Sequence, residues 1–176
     1  MKIGFTGTIS VGKTTLVKEL QKLPEFKNYE FFTERSKMLR DMGIPLDTDS
    51  TLKGQCVFLS ERARELFFNN MMTDRTVIDV MAFANSAKSI NFIDAHNFNN
   101  LASSLIKEYD YIFYVSPDGV KLENNGVRCV DSEYRDLIDL KIQKFITQYR
   151  HLMKNYTLIS GSTESRIKQV KQSLGL

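Results

Sequence analysis

The chain has 176 residues, with 24 Lys and Arg against 21 Asp and Glu, and a formal net charge of +3. A chain of this length can bury a core without disulfides or structural metals. The near balance of charge, with no basic block, gives no polycationic arm for nucleic acid. Its 2 cysteines lie far apart in sequence, which excludes a disulfide scaffold. Because no apolar run reaches the roughly 18 residues of a membrane span, we expect one cytoplasmic domain over residues 1–176 with no membrane partner.

Strands and helices are predicted to alternate along the chain. An apolar run over residues 2–6 predicts a buried strand that ends at Gly7, and residues 13–23 have helical apolar spacing before Pro24. Further strands are expected over residues 29–33, 70–73, 110–115 and 156–160, and further helices over residues 34–42, 51–70, 76–88, 94–109, 131–152 and 162–173. This alternation predicts a three-layer α/β domain: a five-stranded parallel sheet with helices on both faces.

The helix predicted over residues 51–70 carries an apolar stripe. Cys56, Leu59, Ala63 and Leu66 recur at helical spacing along it. These four side chains are therefore expected to face the core. Cys56 in particular is expected to be a core residue, because a free cysteine in a reduced protein behaves as a small apolar side chain.

A glycine-rich motif follows the first predicted strand and opens the first predicted helix. Residues 7–14 match the phosphate-binding pattern G-x-x-x-x-G-K-[ST]. Lys13 is expected to reach the β- and γ-phosphates of ATP, and the Thr14 hydroxyl to bind Mg²⁺. The motif gives the P-loop NTPase fold, but it does not separate kinases from other nucleotide hydrolases. The residues expected to bind the nucleotide here are Gly7, Thr8, Ser10, Val11, Gly12, Lys13, Thr14 and Thr15.

Two segments resemble thymidylate kinases. Residues 74–83 are similar to the family's D-R-Y-x-x-S-x-x-A-Y segment, with Thr76, Asp79 and Phe83 in place of its tyrosine, serine and final tyrosine. Residues 58–63 resemble the helix segment of the same family that ends D-R-A. Both segments follow the P-loop in the order that the family has.

Two further segments resemble other small kinases. Glu34 matches the carboxylate that deoxyribonucleoside kinases carry after their second strand, and Arg35 follows it directly. Residues 125–128, with Arg135 in the next helix, resemble the D-G-x-R lid of ribosylnicotinamide-kinase-like proteins, although Asn125 replaces the acid. Together the segments resemble small, often phage-encoded P-loop nucleoside and nucleotide kinases, with a lid at about residues 117–135.

The resemblance implies catalytic roles. Phosphoryl transfer needs charge neutralisation and in-line positioning. Asp74 would support Mg²⁺, and Arg75 would bind the acceptor or the γ-phosphate. Glu34 would bind an acceptor hydroxyl or Mg²⁺-bound water, although an acid that caps a surface helix is the simpler alternative. The motif and the resemblance together give the expected catalytic residues, which are Lys13, Glu34, Asp74, Arg75, Arg128 and Arg135.

The resemblance also implies an acceptor pocket and an adenine contact. Gln55, Phe58 and Arg62 share one helical face, which either looks into the acceptor pocket or contributes Phe58 to the core and Arg62 to solvent. Asp79, one turn after Arg75, contacts the substrate or orients Arg75. Gly161, after the last predicted strand, either would pass its backbone against adenine or belongs to a plain turn between strand and helix. The full set of expected acceptor residues is Glu34, Arg35, Gln55, Phe58, Arg62, Arg75 and Asp79.

The expected reaction transfers the γ-phosphoryl group of ATP, with Mg²⁺, to a nucleoside or nucleotide. A deoxynucleoside monophosphate is the favoured acceptor, because several arginines surround the thymidylate-kinase-like segment. Three alternatives stay open: a nucleoside or ribosylnicotinamide-type kinase, a kinase acting on a base or an end in DNA, and a regulatory ATPase module. A nucleic acid partner is not favoured, and a homodimer is left open.

Overall fold

A computed structural model describes residues 1–33, 36–120 and 131–176. Within these residues the chain forms five strands and seven helices. The strands are β1 (Lys2–Thr6), β2 (Glu30–Phe32), β3 (Met71–Asp74), β4 (Tyr111–Val115) and β5 (Tyr156–Ile159). The helices are α1 (Lys13–Gln21), α2 (Ser36–Asp41), α3 (Leu52–Glu65), α4 (Val77–Ala84), α5 (Phe92–Ser103), α6 (Ser132–Gln148) and α7 (Thr163–Leu174).

The five strands form one parallel sheet in the order β2-β3-β1-β4-β5. The central strand β1 pairs with β3 on one side, where Phe5 lies opposite Asp74, and with β4 on the other, where Thr6 lies opposite Tyr114. The carboxyl ends of β1, β3 and β4 therefore meet at one edge of the sheet, where ligands bind in folds of this type. The predicted five-stranded parallel sheet is confirmed.

Side chains that alternate along the strands belong to two apolar clusters, one on each face of the sheet. Ile3 and Phe5 of β1 pack in the cluster that contains residues of α1 and α7. Ile112 and Tyr114 of β4 pack in the cluster that contains residues of α3, α4, α5 and α6. In the part of the chain that the structure describes, no helix is long and apolar enough to cross a membrane.

Several helices end earlier than their sequence predicts. The helix expected over residues 51–70 ends at Glu65, and the chain then turns to enter β3 at Met71. The one expected over residues 76–88 is α4, which begins after the N-cap Thr76 and ends at Ala84. The last turns of two other predicted helices are separate 3₁₀ turns, Ile106–Glu108 and Arg150–Leu152.

The buried face of α3 differs from the predicted apolar stripe. Leu59 and Leu66 are buried as expected, but Cys56 is exposed and Ala63 is only half-buried. The prediction that Cys56 is a core residue is therefore wrong. Much of the buried face is polar, since it consists of Gly54, Gln55, Leu59, Arg62 and Glu65.

Candidate active site

The loop between β1 and α1 has the backbone that the P-loop motif predicts. Gly7 has φ 152°, and a Cβ atom there would lie 2.7 Å from the carbonyl oxygen of Val115. Gly12 precedes α1 with φ 83°, a conformation that glycine adopts without strain. The loop therefore passes close to the end of β4 and turns directly into α1. The N-terminal end of α1 adds a partial positive charge that favours phosphate.

The ammonium group of Lys13 lies inside this loop. Its Nζ donates to the carbonyl oxygens of Gly7 and Thr8, both at 2.7 Å, and the side chain is buried. The Thr8 hydroxyl donates to the carbonyl oxygen of Arg135 at 2.6 Å. The loop is thus braced from inside by Lys13 and tied to the first turn of α6.

Thr14 and Asp74 bring oxygen ligands together at the sheet edge. The Thr14 hydroxyl donates to Oδ2 of Asp74, and Asp74 is buried. A hydroxyl beside a carboxylate is the kind of ligand pair that Mg²⁺ uses, together with phosphate oxygens and water. The residues present therefore fit the metal that the motif implies.

Arg75 is the first residue after β3 and is buried. Its guanidinium carbon lies 4.9 Å from the centre of the Phe83 ring, and its Nη1 lies 3.6 Å from Oδ1 of Asp79. The same Asp79 oxygen accepts from the backbone N–H of Gly7 at 3.3 Å. Asp79 therefore connects the P-loop to Arg75, which agrees with an orienting role and leaves its contact with substrate a prediction.

Two cavities share Arg75 as a wall. The larger is a cleft of about 380 Å³ over the P-loop. The smaller is a slot of about 20 Å³ whose walls include Gln55, Phe58 and Phe83. Arg75 thus lines both the cleft over the P-loop and a largely apolar slot that includes the Gln55 carboxamide. The described residues that line the cleft are 9–15, Asp74, Arg75, Val120, 161–163 and Arg166.

Arg62 lies apart from the two cavities, although the sequence predicts it beside the acceptor. Its Nη2 donates to Oε1 of Glu65 at 2.7 Å and its Nη1 donates to the Thr73 hydroxyl at 3.1 Å. Among the described residues, Arg62 does not belong to the lining of either cavity. Burial raises the pKa of Glu65, although the Arg62 guanidinium acts to lower it. The structure therefore brings Gln55 and Phe58 to the slot and places Arg62 in a buried network behind β3.

The predicted lid is described only in part. Arg135 lies in the first turn of α6, where its Nη1 donates to the carbonyl oxygen of Val120 at 2.9 Å. Within the described residues, its Nε and Nη2 have no hydrogen-bond partner. Glu34, Arg35 and Arg128 lie outside the described residues, so their roles stay predictions.

Arg166 of α7 is a site residue that the sequence did not reveal. Its Nη1 donates to the carbonyl oxygen of Val11 at 2.6 Å, and its Nη2 donates to that of Ser116 at 3.2 Å. Burial lowers the pKa of this guanidinium. Arg166 lines the cleft, as does Gly161, whose contact with adenine stays a prediction. One arginine in a polar helix gives no pattern that would separate it from a solvent-exposed residue.

Comparisons with known sequences agree with the predicted resemblance. The model of a family described as an AAA domain matches residues 2–166. A thymidylate kinase from Prosthecochloris aestuarii is 23% identical over 194 residues, covering 99% of this chain and 86% of that protein. The sequence likeness therefore extends over nearly the whole chain.

Solved structures share the fold at low sequence identity. A deoxyadenosine kinase from M. mycoides, with dCMP and dCDP bound, superposes with a TM-score of 0.70 at 18% identity, over 99% of this chain and 98% of that chain. NadR in complex with NAD and AMP-PNP superposes with a TM-score of 0.72 at 16% identity, over 99% of this chain and 49% of that chain. The predicted fold and the resemblance to small P-loop nucleoside and nucleotide kinases are confirmed.

Proposed function

The chain belongs to the AAA domain family, and on that premise we propose that it is an ATP- and Mg²⁺-dependent kinase acting on a (deoxy)nucleoside monophosphate. The observation that carries this proposal is the position of Arg75, which is a wall of both the phosphate cleft and the apolar slot. A guanidinium between two cavities can bind phosphate oxygens from either side.

The residues of the cleft and of the predicted lid would divide the work of phosphoryl transfer. The P-loop backbone and Lys13 bind the terminal phosphates of ATP, as they do in this class of fold. Thr14 and Asp74 would hold Mg²⁺, which would neutralise charge on the phosphates of ATP. The lid arginines, Arg128 and Arg135, stabilise the charge that develops on the transferred group.

The slot gives the acceptor its orientation. Phe58 and Phe83 line the slot, whose volume of about 20 Å³ must widen before a base can enter it, and the Gln55 carboxamide can both donate to and accept from a base edge. Arg75, which lines both the slot and the cleft, would then bind the phosphate that the acceptor already carries. Positioning of this kind supplies much of the rate enhancement in phosphoryl transfer.

The proposal is tested by measuring ADP formation from ATP and Mg²⁺ with separate panels of nucleosides, deoxynucleoside monophosphates and oligonucleotides, at low and moderate salt. We expect ADP formation to require a deoxynucleoside monophosphate, and we expect its rate to depend only weakly on salt. Activity confined to nucleosides would instead identify a nucleoside kinase, an alternative that the fold of the deoxyadenosine kinase supports.

The remaining outcomes contradict a small-molecule kinase. Activity confined to oligonucleotides and lost as salt rises would identify a DNA-directed enzyme, because contacts with the phosphate backbone make binding steeply salt-dependent. ADP formed at the same rate with and without any acceptor would identify an ATPase module.

A further inference from the structure

We infer that Arg62, Glu65 and Thr73, here called the Arg62 cluster, act together to position Arg75 for the acceptor. This inference rests on the proposed function, because it assumes that Arg75 binds the acceptor or the transferring phosphate. It replaces the direct acceptor contact expected of Arg62 from sequence with an indirect role, and it gives Glu65 and Thr73 a role that the sequence did not suggest.

The cluster is a set of hydrogen bonds that reaches the carbonyl oxygen of Arg75, which lies within reach of both Arg62 Nη1 and, at 3.2 Å, the Thr73 hydroxyl. Glu65 accepts from Arg62 Nη2 through Oε1 and from the Thr73 hydroxyl through Oε2, both at 2.7 Å. Arg62 Nη1 donates to Thr73 Oγ1 and to the carbonyl oxygen of Arg75, both at 3.1 Å. Glu65 and Thr73 therefore fix the guanidinium in the orientation that binds this carbonyl.

The carbonyl belongs to a strained residue. Arg75 has φ 112°, a conformation that persists in a non-glycine residue only when its surroundings determine it. Its own N–H donates to the carbonyl oxygen of Phe5 at 3.0 Å. The next N–H, that of Thr76, donates to Oδ2 of Asp79 at 2.8 Å. The peptide between Arg75 and Thr76 is thus held at its oxygen by Arg62 and at its nitrogen by Asp79.

Stability alone does not account for the cluster. Arg62, Glu65 and Thr73 are all buried, and apolar residues of similar volume often stabilise a core as well as a buried ion pair does. What an apolar core would lack is a donor directed at one carbonyl. Because the peptide follows Arg75 directly, its orientation sets where the Arg75 side chain leaves the backbone, and a small displacement at a reacting group lowers rates strongly.

The test uses Thr73→Val, which keeps the branched shape and replaces the hydroxyl with a methyl group. We expect kcat with the acceptor to fall at least about tenfold and the acceptor KM to rise, while the Kd of a fluorescent ATP analogue changes less than about twofold. Thr73→Ser restores the hydroxyl and should restore most of kcat. Glu65→Gln should also lower kcat.

A matched control separates positioning from loss of stability. Ile106→Val removes one methylene from a buried residue that precedes β4, at the edge of the sheet opposite the cleft. It should lower the melting temperature without changing kcat or the acceptor KM. Equal losses of kcat in Ile106→Val and Thr73→Val would overturn the inference.

A double-mutant cycle tests whether the cluster acts through Arg75. In an Arg75→Met background, Thr73→Val should cause little further loss of kcat/KM, because the side chain that it positions is already gone. Independent, multiplying losses in the double variant would show that Thr73 acts by another route.

Hydrogen exchange gives a readout that does not need turnover. The Thr76 amide should exchange faster in Thr73→Val than in wild type, and at the wild-type rate in Ile106→Val. If the wild-type chain phosphorylates no acceptor, the proposed function fails, and unchanged exchange of Thr76 in Thr73→Val would separately overturn the positioning role.

Discussion

Lys13 and the P-loop depend on each other in the structure. Replacing Lys13 with Met removes the donor for the Gly7 and Thr8 carbonyls as well as the charge for the phosphates. Loss of one positioned donor to a transferring group costs roughly 10²–10³-fold in rate, and we expect at least that loss of kcat. The melting temperature should also fall, because buried carbonyls left without donors cost about 1–3 kcal/mol.

The two effects of Lys13→Met are separated by measuring turnover and the circular dichroism spectrum at one temperature, well below the melting transition. A folded spectrum with lost turnover agrees with the phosphate role. Turnover near that of wild type would contradict the P-loop interpretation altogether.

Asp74 tests the metal site by itself. Asp74→Asn keeps the shape of the side chain and removes one negative charge, so it should raise the Mg²⁺ concentration needed for half-maximal rate by about tenfold or more. Asp110→Asn is a matched control, because Asp110 precedes β4 and binds Lys154 at 2.8 Å, at the edge of the sheet away from the cleft. A Mg²⁺ requirement that changes equally in both variants would remove Asp74 from the metal site.

Arg166 offers a prediction at a residue that no motif identified. Arg166→Lys keeps the charge but loses the planar fork that binds the Val11 and Ser116 carbonyls. Because Val11 lies in the P-loop, the KM for ATP should rise about tenfold while the acceptor KM stays near its wild-type value. Lys168→Gln, an exposed change on the same helix, should leave both constants unchanged. An unchanged KM for ATP in Arg166→Lys would show that the loop does not need this support.

At the scale of elements, α3 shows where sequence patterns succeed and where they fail. Apolar spacing predicted the helix and the burial of Leu59 and Leu66, because an apolar side chain needs no specific partner to be buried. Glu65 and Arg62 are buried through bonds to each other and to Thr73 of β3, a partner that lies beyond the helix. The polarity of one segment cannot reveal such a partner. For the same reason the apolar pattern predicted Cys56 on the buried face of α3, whereas it is exposed.

The first turn of α6 contains Arg135, one of the two arginines predicted to act from the lid. Arg135→Lys should lower kcat by about tenfold or more, because a lysine cannot reproduce the planar guanidinium that binds the transferring phosphoryl group. Arg128→Lys should act in the same direction. Arg150→Lys, which lies beyond the other end of α6 and stacks on Tyr156, is the control. Normal turnover in both Arg128→Lys and Arg135→Lys would show that the lid assignment is wrong.

At the scale of the whole molecule, the order of strands determines which residues meet. The motifs placed Thr14 after β1 and Asp74 at the end of β3, and the pairing of β1 with β3 joins them across 60 positions of sequence. The alternation of elements predicts a parallel sheet, but it does not state which strands are neighbours. The contact of Arg166 with Val11 spans 155 positions. It depends on how α7 packs beside α1, which no local pattern encodes.

Binding of ATP and Mg²⁺ should stabilise the whole fold. A ligand at about 100 times its Kd adds about 2.7 kcal/mol to the free energy of unfolding. For a chain of this size that raises the melting temperature by about 5–10 °C. Chelation of Mg²⁺ by EDTA should remove most of this rise, because the triphosphate then lies beside the Asp74 carboxylate with no cation between them. Lys13→Met should reduce the rise with Mg²⁺ present, whereas Asp110→Asn should keep it. A rise of equal size with and without EDTA would show that the cleft binds the nucleotide without the metal, and it would remove Thr14 and Asp74 from the proposed Mg²⁺ site.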